Sequence, residues 1–215
     1  MLVGSYAVNN NNKYSDIDVY IVLNNRCNYR IRGNKRIGNY IIEYFINPVF
    51  KIEEYMENDK RGHGGPMANM IYNGKLLYGN KRLINKLKRK ALNALNKKNE
   101  YDVIKYYRCW DAFEDYKACK YHKNLPYYNC LKYLIEAYLF NHDYCILPEH
   151  KIERFFKDKE YRYRYNINKF PDNEFNKLVI NCFDKPNKNN LEKLYWFVIN
   201  DGNFDINNFE LKSEV

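Results

Sequence analysis

The 215-residue chain has no apolar run approaching the eighteen or so residues needed to span a bilayer. Nor does it open on the basic-then-apolar pattern of a secretory leader. Both absences lead us to expect a cytoplasmic protein with no membrane partner. The six cysteines (Cys27, Cys109, Cys119, Cys130, Cys145 and Cys182) include no Cys-x-x-Cys pair. The four histidines, His63, His122, His142 and His150, are scattered along the chain. That argues against a zinc site of the common kinds, and the cysteines are expected to be reduced thiols, mostly buried in helices. Acidic residues are in deficit, 26 against 36 lysines and arginines, for a net charge of +10. Such a balance favours anionic partners such as nucleotides, nucleic acid or an acidic protein. The abundance of Lys, Asn, Ile and Tyr is also what AT-rich coding DNA produces. No internal repeat is visible. With 46% hydrophobic and 17% aromatic residues the chain can bury a core, which excludes a disordered tail. Its length suits one large or two modest domains.

The most informative stretch is Gly4-Ser5, ten further residues, then Asp16-Ile17-Asp18. Ile17 to Leu23 is β-branched, aromatic or aliphatic apart from Asp18, and reads as a buried strand. Side chains two apart on a strand share a face, so Asp16 and Asp18 point the same way. Two carboxylates roughly 6 Å apart repel by about 3 kcal/mol at an effective dielectric near 20, and strands disfavour Asp. A divalent cation with oxygen ligands would offset that cost; two solvated aspartates at a strand end are the plainer alternative. Gly4-Ser5 follows Leu2-Val3, read as a strand end, and precedes Tyr6-Ala7-Val8, read as one helical turn. Glycine lets the backbone approach a ligand closely, and the first amides of a following helix bind phosphate.

Val3-Gly4-Ser5 and Ser15-Asp16-Ile17-Asp18-Val19 together resemble the signature of the nucleotidyltransferase superfamily typified by DNA polymerase β. That signature is a hydrophobic residue, Gly-Ser, a spacer, then Asp-hydrophobic-Asp. The resemblance covers roughly the first 95 residues and extends more loosely to a second, helical domain like that of small aminoglycoside-type nucleotidyltransferases. It implies a third metal carboxylate on a neighbouring strand, for which Glu43, within Tyr40–Ile46, is the candidate; a glutamate on a half-exposed sheet edge is the plainer alternative. It further implies that Asp16, Asp18 and Glu43 hold two magnesium ions and that Gly4, Ser5 and Ser15 contact the nucleotide. Lys151, just after Pro148 at an expected helix start, is a further candidate for a nucleotide contact, a surface lysine being the plainer alternative. Relatives carry a helix and a full strand before the Gly-Ser turn, and here only Met1-Leu2-Val3 stand there. A late-assigned start or an incomplete sheet element is the expectation.

The fold class expected is an α/β (α+β) domain with a small mixed sheet at residues 1–97, followed by an all-α helical bundle at 98–215. Strands are predicted at 16–23, near 28–36 and at 39–47. Pro48 opens a helix with Glu53, Glu54 and Glu57, Arg61 to Pro66 forms a flexible loop, and Lys75 to Tyr78 a last short strand after the Asn73-Gly74 turn. From 80 to 99 runs a basic helix without an acid, carrying Lys81, Arg82, Lys86, Lys88, Arg89, Lys90, Lys97 and Lys98. It is either a polyphosphate or nucleic-acid surface or a solvated face. Beyond it, apolar stripes recur at spacings of 3 and 4: Val103 to Phe113, Leu131 to Leu139, Phe175 to Phe183 and Leu191 to Val198. Pro126, Pro148, Pro171 and Pro186 fall near the boundaries, and the chain from Leu211 is expected to fray.

The activity this implies is transfer of a nucleoside monophosphate, AMP from ATP first, to a hydroxyl of a small molecule, an aminoglycoside-like antibiotic being the family-level guess. The acceptor is expected in a cleft between the domains. Asp111, Glu114 and Asp115, on one helix, are candidates for a general base, and spacing does not choose among them. Two alternatives stand beside this reading: transfer to tRNA or protein in a toxin–antitoxin-type system, and an inactive nucleotide- or RNA-binding module. A homodimer is open, since relatives often share a cleft between two copies.

Overall fold

The structure is a computed structural model that describes residues 1–61, 65–96, 102–121, 123–144, 149–165 and 171–210. The centre of the expected Arg61–Pro66 loop, His63 and His122, Lys97 and Lys98, Cys145, Pro148 and the tail from Leu211 lie outside the described residues. In chain order the elements are β1 (Leu2–Val3), α1 (Gly4–Ala7), β2 (Ile17–Leu23), β3 (Ile31–Ile37), β4 (Tyr40–Pro48), α2 (Val49–Arg61), α3 (Pro66–Asn73) and α4 (Lys81–Leu95). Then follow α5 (Val103–Ala118), α6 (Asn124–Asn141), α7 (Glu149–Lys157), α8 (Lys159–Arg164), α9 (Asn173–Asp184) and α10 (Lys188–Asp201). They divide into two compact units: Met1–Lys97 with Asp158–Asn168, and Lys98–Lys157 with Lys169–Val215.

In the first unit a four-stranded mixed sheet runs in the order β1-β2-β4-β3. β3 and β4 form a hairpin closed by Gly38-Asn39, in which Gly38 takes φ +57°; a tight two-residue turn that follows strand twist needs such positive angles. β4 then lies parallel to β2, pairing Asp18 with Glu43 and Tyr20 with Phe45. Antiparallel pairing sets Arg32 of β3 across from Phe45 and Asn34 across from Glu43. Alternation therefore puts Asp18, Tyr20, Glu43, Phe45 and Arg32 on one face. The helices cover that face: Tyr20, Ile52, Met56, Ala68, Ile71 and Leu87 share one core. Tyr20 and Phe45 stack at 5.9 Å, and the buried Asn47 amide donates to the Tyr20 hydroxyl at 2.5 Å.

Two sequence expectations are corrected. Ile17–Leu23 is a strand but not a buried one: Tyr20 is its one buried residue and Ile21 is 42% exposed, because the helices pack on a single face of the sheet. Lys75–Tyr78 is not a strand. Only Lys75 bridges Leu2, and Tyr78 is 94% exposed, so nothing holds the remaining residues to the sheet edge.

Asp59, in the last turn of α2, caps the neighbouring helix. Its Oδ2 accepts from the Ala68 amide of α3 at 2.8 Å, and the Met67 amide also donates to it. Gly65 at the start of α3 offers no side-chain cap of its own, so Asp59 satisfies donors that would otherwise lack a partner. Burial pushes its carboxyl up to about 6, against the pull of those two amides.

The second unit is helical throughout among its described residues. The predicted stripes supply much of its core, with Tyr106, Phe113, Leu131, Leu134, Phe175, Val179, Leu191, Leu194 and Val198 all buried. Tyr138 stacks on Phe175 at 3.6 Å and Phe113 on Tyr195 at 4.1 Å. Cys109, Cys130 and Cys182 are buried free thiols. Desolvation pushes Cys130 to about 12 and Cys182 to about 11, which keeps them protonated. Asp172 caps α9 by accepting from the Glu174 and Phe175 amides, both at 2.9 Å, and its other oxygen takes the Tyr138 hydroxyl.

Asp172→Ala removes a helix cap and leaves the buried Tyr138 hydroxyl without its acceptor. A loss of about 2 kcal/mol is expected in urea titration, and an unchanged midpoint would refute it. Asp59 has a folded pKa above its ordinary 3.8. The folded chain thus holds that proton more tightly than the unfolded one. The stabilising contribution is full below about pH 4 and is lost as pH rises through about 6. Asp59→Asn should flatten the decline between those values, in urea midpoints measured at successive pH.

Candidate metal and nucleotide site

The three sequence-selected carboxylates come together. Asp16 immediately precedes β2, Asp18 is its second residue, and Glu43 sits beside Asp18 on β4. One ligand oxygen from each lies within 4.8 Å of the others, and all three residues are half-buried. β4 is interior to the sheet, between β2 and β3, so Glu43 is not on an edge. Like charges this close repel strongly, and the fold answers with Arg32. Its Nε and Nη2 both donate to Glu43 Oε1, at 3.0 and 2.8 Å, and its guanidinium lies over Phe45 at 5.0 Å.

The donor set suits magnesium: hard carboxylate oxygens, with no nitrogen or sulfur ligand in the cluster. Gly4 makes room for it. This residue takes φ +65°, and a Cβ built there would stand 2.0 Å from Asp18 Oδ2. Only glycine combines that angle with so close an approach. Pairing of Val3 with Asp18, through antiparallel β1 and β2, delivers Gly4 to the carboxylate. Ser5 follows in α1. The loop from α1 to β2 is tied locally. The Asn10 amide donates to Ser5 O at 2.8 Å, and the Asn12 amide to Ser15 Oγ at 2.9 Å. Ser15 thus closes the loop that presents Asp16.

The other sequence candidates are on the second unit. Lys151 is in the first turn of α7, half-buried. Asp111, Glu114 and Asp115 are on α5, where Asp111 and Asp115 are exposed and Glu114 pairs with Lys117 at 2.5 Å. Arg32 was not foreseen from the sequence. One of several cations in a polar strand, it looks like solvated surface until pairing with β4 brings it to Glu43.

Gly4→Ala is expected to weaken Mn²⁺ binding at least tenfold and to cost about 1–2 kcal/mol of stability from the left-handed backbone. Mn²⁺ titration followed by electron paramagnetic resonance checks this, and unchanged affinity would show that Gly4 does not shape the cluster.

Among the described residues no helix is long and apolar enough to cross a membrane. No curated protein matches the chain. Residues 1–60 match the family profile of the nucleotidyltransferase domain, a stretch that contains the Gly4-Ser5 turn, both aspartates and Glu43. Over these residues the chain is similar to nucleotidyltransferase domains, a likeness that marks the protein as a transferase of phosphorus-containing groups.

Proposed function

We propose that the protein is a magnesium-dependent nucleotidyltransferase that moves a nucleoside monophosphate, AMP from ATP in the first instance, to a hydroxyl of a small-molecule acceptor. The observation that carries this is the convergence of Asp16, Asp18 and Glu43 within 4.8 Å on paired strands, beside a glycine that leaves Asp18 unobstructed. Asp16, Asp18 and Glu43 would hold the metal. When bound, magnesium supplies Lewis-acid stabilisation of the phosphoryl oxygens in an in-line displacement. Gly4 and Ser5 would hold the β- and γ-phosphates through main-chain amides and the Ser5 hydroxyl, while Ser15 keeps the Asp16 loop closed. Lys151 is assigned a nucleotide contact from its place in the first turn of α7. The acceptor oxygen forms a bond to the α-phosphorus, and the bond from that phosphorus to the pyrophosphate oxygen breaks. The acceptor proton passes to a base, for which Asp111, Glu114 and Asp115 remain the candidates.

One observation favours a second reading, with tRNA as the acceptor. Lys81, Arg82, Asn85, Lys88 and Arg89 line a single open depression of about 790 Å³ along α4. They follow one another at 1, 3, 3 and 1 residues, on one side of the helix. None of the four cations has a carboxylate partner among the described residues, whereas Lys90 on the same helix pairs with Glu53 at 2.7 Å. Partial burial lowers Lys88 from the usual lysine range. An unpaired cationic stripe of this kind suits a phosphate backbone.

Incubation with α-³²P-ATP and magnesium, in the presence of low-molecular-weight, tRNA and protein fractions of a cell extract, tests both readings. Label in the small-molecule fraction that disappears with Asp18→Asn supports the first, and label in tRNA supports the second. Label retained by Asp18→Asn would sink the site assignment.

A further inference from the structure

A pocket of about 520 Å³ opens in the first unit on the face that carries the carboxylates. Arg32 belongs to both: it holds Glu43 and lines the pocket. Its neighbour is Arg30, which donates from Nη1 to the Tyr55 hydroxyl and has no carboxylate partner among the described residues. Most of Arg30's donors are thus uncommitted, and Arg32 keeps Nη1 unused after its bonds to Glu43. The floor is apolar and polarisable, formed by Phe45, Met67 and Met70. The acid that lines the pocket, Asp59, is occupied by the amides of α3. Glu43 offsets Arg32, but no carboxylate pairs with Arg30 among the described residues, so its charge faces the pocket, and the planar forks of both arginines match carboxylate or phosphate oxygens.

We propose that this pocket binds a small organic anion, a carboxylate or phosphate ester with an aromatic or aliphatic body, and that this molecule is the nucleotidyl acceptor. The role as acceptor rests on the nucleotidyl-transfer reading; the binding does not. The anionic group seats on Arg30 and the free edge of Arg32, and the body lies on Phe45 and the two methionines. Sharing Arg32 with Glu43 keeps the occupant beside the metal carboxylates, where its hydroxyl is to react. Polycationic aminoglycosides fit this pocket badly. Their ammonium groups would face two arginines, with no free carboxylate lining the pocket to receive them.

The test is calorimetric titration of the full chain with phenyl phosphate, inorganic phosphate and kanamycin, with Mn²⁺ binding measured separately by electron paramagnetic resonance. Phenyl phosphate is expected to bind more tightly than inorganic phosphate, because only it covers the apolar floor. Arg30→Gln should weaken phenyl phosphate roughly tenfold, Arg30→Lys should recover part of that loss, and neither should change Mn²⁺ affinity or the melting temperature. Kanamycin should not displace phenyl phosphate. Equal phenyl phosphate affinity in wild type and Arg30→Gln, or displacement by kanamycin, would overturn the proposal. Failure of the wild type to bind Mn²⁺ would strike the nucleotidyl-transfer reading instead, and the phosphate titrations would still decide the pocket.

Discussion

The parallel pairing of β2 with β4 is the constraint on which the rest of the first unit depends. It sets Asp18 directly beside Glu43 and Tyr20 beside Phe45. One ladder therefore both concentrates negative charge near its start and places an aromatic pair in the core two rungs on. A one-residue slip of β2 would turn Asp18 to the opposite face, away from Glu43, and expose Tyr20. The stacked Tyr20–Phe45 pair, closed by the Asn47 amide, is what the register gains. The clustered carboxylates are what it must tolerate.

That tolerance comes from three places. Arg32 reaches Glu43 from the outer strand, Gly4 gives Asp18 space without a Cβ, and the α1–β2 loop fixes Asp16 through the Ser15 hydroxyl. Each is a local answer to the same electrostatic problem, and each leaves carboxylate oxygen available to a hard cation. Arg32 also ties the cluster to the pocket lined by Arg30, Phe45 and Met70, so the charge that steadies the acids also shapes the neighbouring cavity.

Much of this was legible from the residues. β-branched and aromatic runs marked β2 and β4, helical spacing marked the buried stripes of the second unit, and the Gly-Ser and Asp-x-Asp elements singled out the residues that converge. Glu43 could be chosen because it is an acid within an apolar strand. The failures have physical causes. Ile17–Leu23 looked buried on both faces because composition does not reveal that helices will cover one side only. Lys75–Tyr78 had strand-like residues, but β pairing needs a partner edge, and only Lys75 meets one. The role of Asp59 as the cap of α3 depends on where that helix begins, which no local pattern states.

The chain itself determined which residues could do chemistry: glycine where a positive φ is required, paired aspartates at strand spacing, and hard oxygen donors without competing thiol or imidazole ligands. Tertiary structure decided what those residues meet. Glu43 is 25 positions from Asp18, and Arg32 is 11 positions from Glu43. Their adjacency arises from backbone ladders between strands distant in sequence, and no local propensity encodes such pairing. The same holds for the pocket, whose arginines come from β3 and the residue just before it, and whose aromatic floor and methionines come from β4 and α3. Charge and shape became a site only when hydrogen-bond register brought those elements to one face.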